Sequence, residues 1–187
     1  MHTDVWGLAM IATCQNQRYF VTFIDNTTRY TVTYLLQTKD EAFEAYKSFE
    51  AWATTQQHCK GIKTLCSDCG GKYLSVAFDQ HLVKAGMMQK LTTHDTPQLN
   101  GITERLKCTL LECIQAFMHS SQLPKSLWGK VLRHATWLKN WTAMCTLDGK
   151  MPFEVLYGQP PDLLALQTWG TTIWVHHVDR SKLDVCM

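Results

Sequence analysis

The sequence predicts an α/β fold on a mixed sheet flanked by helices. Three observations lead there. Residues 1–36 hold three strand-like stretches separated by turn material. A capped, amphipathic helical stretch then precedes another short strand. Helical periodicity fills much of the rest, and alternation of this kind belongs to α/β architectures.

Residues 4–9 are expected to form a strand, linked through Gln15, Asn16 and Gln17 to the next one. Tyr19–Ile24 is an almost unbroken apolar run, as in a strand covered on both faces. Asp25, Asn26, Thr27 and Thr28 are turn residues, and the β-branched and aromatic stretch 30–36 returns as a third strand. Thr38 with Glu41 makes a capping box for a helix that places Ala42, Phe43, Tyr46, Phe49 and Ala53 on one face. Residues 61–66 form the strand after it. The strand–helix–strand unit predicts a right-handed crossover with parallel strands, and puts Asp68 just past the strand's carboxyl end. A short helix over 75–85, a strand over 87–91 and a loop over 93–97 follow. A long helix over 100–119 carries Ile102, Leu106, Leu110, Cys113 and Phe117 on its apolar stripe, with Glu104 on the opposite side. Residues 124–141 give a further helix, 153–157 one or two helical turns, and 172–175 a strand.

With 187 residues and 45% hydrophobic content the chain can bury a full core. No apolar run is long enough to cross a membrane, and no secretory signal opens the sequence. The formal charge of +2 and pI near 8.1 are too mild to argue for a nucleic-acid partner by themselves.

Eight cysteines are expected to be reduced thiols in the absence of a secretory signal. Only Cys66 and Cys69, in the stretch LCSDCGGKY, have ligand-like spacing. A structural zinc needs four ligands. His58 and Cys59 are the nearest others, and adjacent residues fit one tetrahedron poorly. A thioredoxin-type motif would open a helix, but Gly70 and Gly71 follow instead.

Three acids stand out by position: Asp4 on the first strand, Asp68 at the end of the strand expected beside it, and Glu104 near the start of a long helix. Thirty-five residues separate Asp68 from Glu104. In-line displacement at a phosphodiester needs an activated oxygen nucleophile and a stabilised leaving oxygen, which divalent metals on such carboxylates supply. Each acid also has a plainer reading. Asp4 suits a solvated terminus, Asp68 before two glycines suits an Asx-turn, and Glu104 favours a helix dipole. On the residues alone both readings stand.

The motifs resemble those of one family, the integrase catalytic core of copia-type LTR retrotransposons. HTDVWG is similar to its first-aspartate strand, and RYFVTFIDNTTRYTVTYLLQTKDEAFEAYKSFEAW to its next two strands and crossover helix. SDCGGKYLS resembles its second-aspartate motif, usually Ser-Asp-Asn-Gly-Gly-Glu-Tyr. DTPQLNGITERLKCTLLE resembles its glutamate helix, and LPKSLWG and LDGKMPFEVLYGQPPDL its later landmarks. The resemblance implies a ribonuclease-H-like fold with a mixed five-stranded sheet. It implies a core over 1–157 and an extension over 158–187. It implies Asp4, Asp68 and Glu104 as catalytic, metal-binding carboxylates, with Mg2+ or Mn2+ as cofactor. DNA ends and target DNA would be substrates, the chain would act as a homo-oligomer in the nucleus, and 3′-end trimming and strand transfer would be the reactions.

The departures are as informative. Cys66 and Cys108 stand where the family has basic residues, Lys107 where it has Asn, Lys72 where it has Glu, and Trp141 where Arg is common. Decay of CpG-containing Arg codons would produce Cys and Trp in this way. Such losses remove phosphate forks from a DNA-binding face, and the chain begins where a preceding zinc domain would end. The expectation is therefore a truncated or decayed core. Its alternatives are an inactive remnant with weak nucleic-acid binding and a cysteine-based zinc module. Lys90, Arg105, Lys107, Arg133 and Lys139 are candidate phosphate contacts, each also readable as solvated surface.

Overall fold

The structure is a computed structural model, and it describes residues 1–56, 62–68, 76–92, 97–164 and 166–172. Five strands form one sheet in the order β3-β2-β1-β4-β5. They are β1 (His2–Trp6), β2 (Tyr19–Ile24), β3 (Thr31–Leu36), β4 (Thr64–Asp68) and β5 (Met88–Thr92). β1, β2 and β3 pair antiparallel, while β4 runs parallel to both β1 and β5. The helices are α1 (Ala42–Gln56), α2 (Val76–Lys84), α3 (Pro97–Ser121), α4 (Trp128–Asn140) and α5 (Pro152–Tyr157).

The alternation of β2 explains the three layers. Val21 and Phe23 point to one face, where Tyr46 and Phe49 of α1 and Phe78 and Leu82 of α2 pack on them. Phe20 and Ile24 point to the other, against Leu106, Leu110 and Ile114 of α3 and Val131 and Leu132 of α4. Both faces are covered, so the strand needs no polar side, and its continuous apolar sequence follows.

Helix α4 is locked to the edge strand. Asn140 Oδ1 accepts the Thr31 N–H at 2.8 Å, and its Nδ2 donates to the Thr31 carbonyl at 2.7 Å. A buried amide thereby satisfies both backbone groups of one residue. Trp141 lies against Trp137 at a tilt of 43° with ring centroids 4.0 Å apart and meets Phe153 edge-on, so this side chain links α4 to α5.

Several boundaries differ from expectation. β1 ends at Trp6, not at residue 9, because Gly7 lies at φ 148° and a Cβ there would run into the Tyr19 ring. Thr38 makes no side-chain cap. Glu41 instead accepts the Gln37 N–H at 2.8 Å, and a 3-10 turn over Lys39–Glu41 precedes α1. α3 begins at Pro97, inside the expected loop, since proline suits a first helical turn. β4 runs through Asp68, so that residue closes the strand and does not follow it. The expected strand over 172–175 falls almost wholly outside the described residues.

Candidate active site

Asp4 occupies the middle of the sheet's central strand. On β1, Val5 joins the core beneath α1 and α2, while Trp6 joins the core beneath α3 and α4. Strand alternation therefore turns Asp4 toward α3. Its side chain is only 13% exposed. Thr22, opposite it on β2, donates its hydroxyl to the Asp4 carbonyl at 3.3 Å.

The parallel register pairs His2 with Cys66; continued by two residues, that register would set Asp4 opposite Asp68. The two expected aspartates thus lie on adjacent parallel strands, each two residues beyond the His2–Cys66 pair. Glu104 is on α3, exposed, and off the face that buries Leu106 and Leu110. It stands one turn before Lys107 along the helix.

Lys107 is the residue that joins helix to strand. Its Nζ lies 2.8 Å from Asp4 Oδ2, a charge-assisted contact across 103 positions of sequence. Sequence reasoning placed Lys107 among surface phosphate contacts and missed this partner. The available signal was its place one turn beyond Glu104, off the apolar stripe.

Of the other basic candidates, Lys90, Arg105 and Arg133 are exposed and Lys139 is half-buried; Arg105 and Lys139 line one pocket and Arg133 another. Cys66 sits on β4 in register with Lys90 of β5, and Cys14, Cys66, Cys108, Cys113 and Cys145 are free thiols. Cys69, Cys59, His58 and Lys72 lie outside the described residues. Among the described residues, no three His, Cys, Asp or Glu side chains gather as metal ligands. His2, buried beside this seam, is held below its usual pKa of 6.5 by burial, then by the nearby N-terminal charge.

No family model matches the chain. It is 32% identical over 186 residues to the retrovirus-related Pol polyprotein from transposon TNT 1-94 of Nicotiana tabacum, covering 98% of this chain and 14% of that protein. It is 30% identical to the corresponding polyprotein from transposon RE2 of Arabidopsis thaliana, covering 98% and 12%. The chain therefore spans a small part of the length of these relatives. Among solved structures, its fold is similar to a chain of the simian T-cell lymphotropic virus intasome complexed with a PP2A B56 gamma subunit. That match has a TM-score of 0.65 at 16% identity, over 89% of this chain and 58% of the other. It is also similar to the HTLV-2 integrase catalytic core domain in complex with magnesium, with a TM-score of 0.59 at 13% identity, over 83% and 93%. No helix among the described residues is long and apolar enough to cross a membrane. By sequence the chain is a relative of copia-type Pol polyproteins over one stretch of their length, and by fold it is ribonuclease-H-like, the fold of retroviral integrase catalytic cores.

Proposed function

We propose that the chain is the catalytic core of a retrotransposon integrase, a metal-dependent polynucleotidyl transferase acting on DNA ends. The observation that supports the reading is that β1 and β4 run parallel side by side, with His2 paired to Cys66, while Lys107 of α3 reaches Asp4; continuing that register would put Asp4 and Asp68 level, and Glu104 precedes Lys107 by one turn of the helix. The relationship to Pol polyproteins across 98% of the chain supports it.

Three carboxylates, without thiolate or imidazole, suit a hard divalent cation. The Asp4 carboxylate already accepts a cation, the Lys107 ammonium, so its environment tolerates positive charge. Asp4, Asp68 and Glu104 would hold Mg2+ or Mn2+, which when bound supplies nucleophile activation and leaving-oxygen stabilisation. The protein's own part is positional. β1 fixes Asp4 between two strands, β4 fixes the backbone of Asp68, and the Leu106–Leu110 face of α3 seats the helix that bears Glu104. Lys107 keeps positive charge beside Asp4. The attacking oxygen would belong to water in end trimming and to a DNA 3′-hydroxyl in joining. Action as a homo-oligomer in the nucleus, and the division into a core over 1–157 and an extension over 158–187, belong to the same proposal.

One observation favours a second reading, a folded remnant without turnover: an ammonium already engages a carboxylate that the metal needs. A manganese-dependent strand-transfer assay on short DNA ends separates the two. Activity that Glu104→Gln abolishes is the expected result. Equal activity in parent and Glu104→Gln refutes the triad, and inactivity of folded parent protein in manganese favours the remnant.

A further inference from the structure

Away from Asp4, the opposite flank of α3 borders a pocket of about 270 Å³. It lies between α3, the β2–β3 turn and the end of α4. Arg29, Arg105 and Lys139 line it together with Thr31, Thr109 and Ile24. Three cationic side chains on three separate elements thus face one small space.

The local structure shows how each arrives there. Asp25 Oδ2 accepts both the N–H and the hydroxyl of Thr28, at 2.7 and 2.8 Å, and so fixes the turn. Arg29 then takes a left-handed conformation at φ 60°, with one guanidinium nitrogen 3.2 Å from Asn26 Oδ1. Arg105 Nε donates to the Gly101 carbonyl at 2.9 Å, which lays the guanidinium along α3. Lys139 Nζ meets the Met144 sulfur at 3.3 Å, a weak acceptor for an ammonium. Among the described residues, none of the three forms an ion pair. Among the described residues no ion pair compensates these charges, and an anion entering the pocket would meet all three of them.

We propose that this pocket is a phosphate-binding site, in which Arg29, Arg105 and Lys139 together take one phosphate group. The group belongs to a nucleic-acid backbone or is free in solution. Guanidinium forks and an ammonium are the donors that phosphate oxygens prefer. The site itself does not depend on the proposed function. Only the nucleic-acid source of the phosphate rests on that reading, since Arg105 follows Glu104 on α3.

Lys139 gives the proposal a distinctive signature. Burial, then the Arg29 charge, lower its pKa to about 8. A bound anion favours the charged ammonium, so binding at that pH draws a proton from solution.

The test is isothermal titration of the full chain with inorganic phosphate near pH 8, in buffers of different ionisation enthalpy, repeated with a short oligothymidylate. The parent is expected to bind with proton uptake. Lys139→Met is expected to weaken binding about tenfold, the loss of one charge-assisted hydrogen bond, and to abolish the uptake. Arg29→Asn, which keeps the left-handed backbone accessible, is expected to weaken binding similarly. Lys84→Met, exposed on α2 across the sheet, is expected to change nothing. Competition between oligothymidylate and phosphate assigns the site to backbone phosphate, and phosphate binding without competition assigns it to the free ion. No phosphate binding by folded parent protein overturns the proposal. So does binding that Lys139→Met and Arg29→Asn leave equal to Lys84→Met. Loss of strand-transfer activity with phosphate binding intact would refute the proposed function alone.

Discussion

Replacing Lys107 with methionine is expected to tighten divalent-metal binding at the candidate active site while destabilising the metal-free protein. The Nζ–Oδ2 separation is 2.8 Å, with side chains 32% and 13% exposed. Coulomb's law at that distance gives about 6 kcal/mol for an effective dielectric of 20 and about 1.5 kcal/mol in water. Desolvation and side-chain ordering reduce this, and hydrogen bonds to charged groups retain about 1.5–3 kcal/mol net. A metal taking Asp4 must displace the ammonium or share the carboxylate with it. Removing the ammonium should therefore raise manganese affinity by roughly 10- to 100-fold. Methionine keeps much of the aliphatic stem, so packing against β1 changes little. Titration of manganese by its electron-paramagnetic signal measures the free ion directly and needs no DNA. Thermal unfolding with and without manganese supplies a second readout: the midpoint of Lys107→Met should be lower than the parent's without metal, and the two should converge or cross as metal is added. Unchanged or weaker manganese binding in folded Lys107→Met would show that the ammonium does not compete for Asp4, and the reasoning would be wrong.

Asn140→Ala should be costly for a surface-distant amide, because it strands both the N–H and the carbonyl of Thr31. At about 1–3 kcal/mol for each of the two orphaned groups, a loss of about 2–6 kcal/mol is expected in urea denaturation, and a loss below 1 kcal/mol would refute the lock. Acid should weaken the fold through histidine. Burial holds His2 and His134 below their usual 6.5. As pH falls through 6.5 the unfolded chain takes up protons first, so stability present above that pH declines below it. Urea midpoints should drop from neutral pH into the acid range, and less so in His134→Gln; an identical drop in that variant would remove His134 from the account.

Much of the architecture was legible because period and burial coincide. β2 reads as an unbroken apolar run since helices cover both of its faces, and the α3 stripe marks the surface that packs on Phe20 and Ile24. Ile114 belongs to that buried surface too, beside the expected stripe member Cys113, which packs against it partly buried. The element ends were less legible. Gly7 stops β1 through the bulk of Tyr19, a partner twelve residues later that no local pattern reveals. The placing of Asp4 and Asp68 on adjacent parallel strands follows from strand order, which the crossover rule constrains, with His2 paired to Cys66. Lys107 could not be read in this way. A long side chain chooses its partner after the fold has formed, and periodicity reports only which side of the helix it leaves. The three cations of the α3–α4 pocket were hidden similarly, since Arg29 reaches it through a turn whose geometry depends on the two bonds from Thr28 to Asp25.

The sheet has one junction unlike the rest. β1, β2 and β3 close through neighbouring segments, and β4 with β5 through α2, but β1 meets β4 across more than sixty intervening positions, at His2 with Cys66. Pairing across such a span carries the larger loop-closure entropy. Asp4 and Asp68 stand on opposite sides of that junction. A breathing motion that parts the two blocks would therefore dismantle the acidic site while each block keeps its own ladder. In native-state hydrogen exchange, the Cys66 amide, which donates across the seam to the Met1 carbonyl at 2.8 Å, should then open at a lower free energy than the Val21 and Phe23 amides inside the antiparallel block.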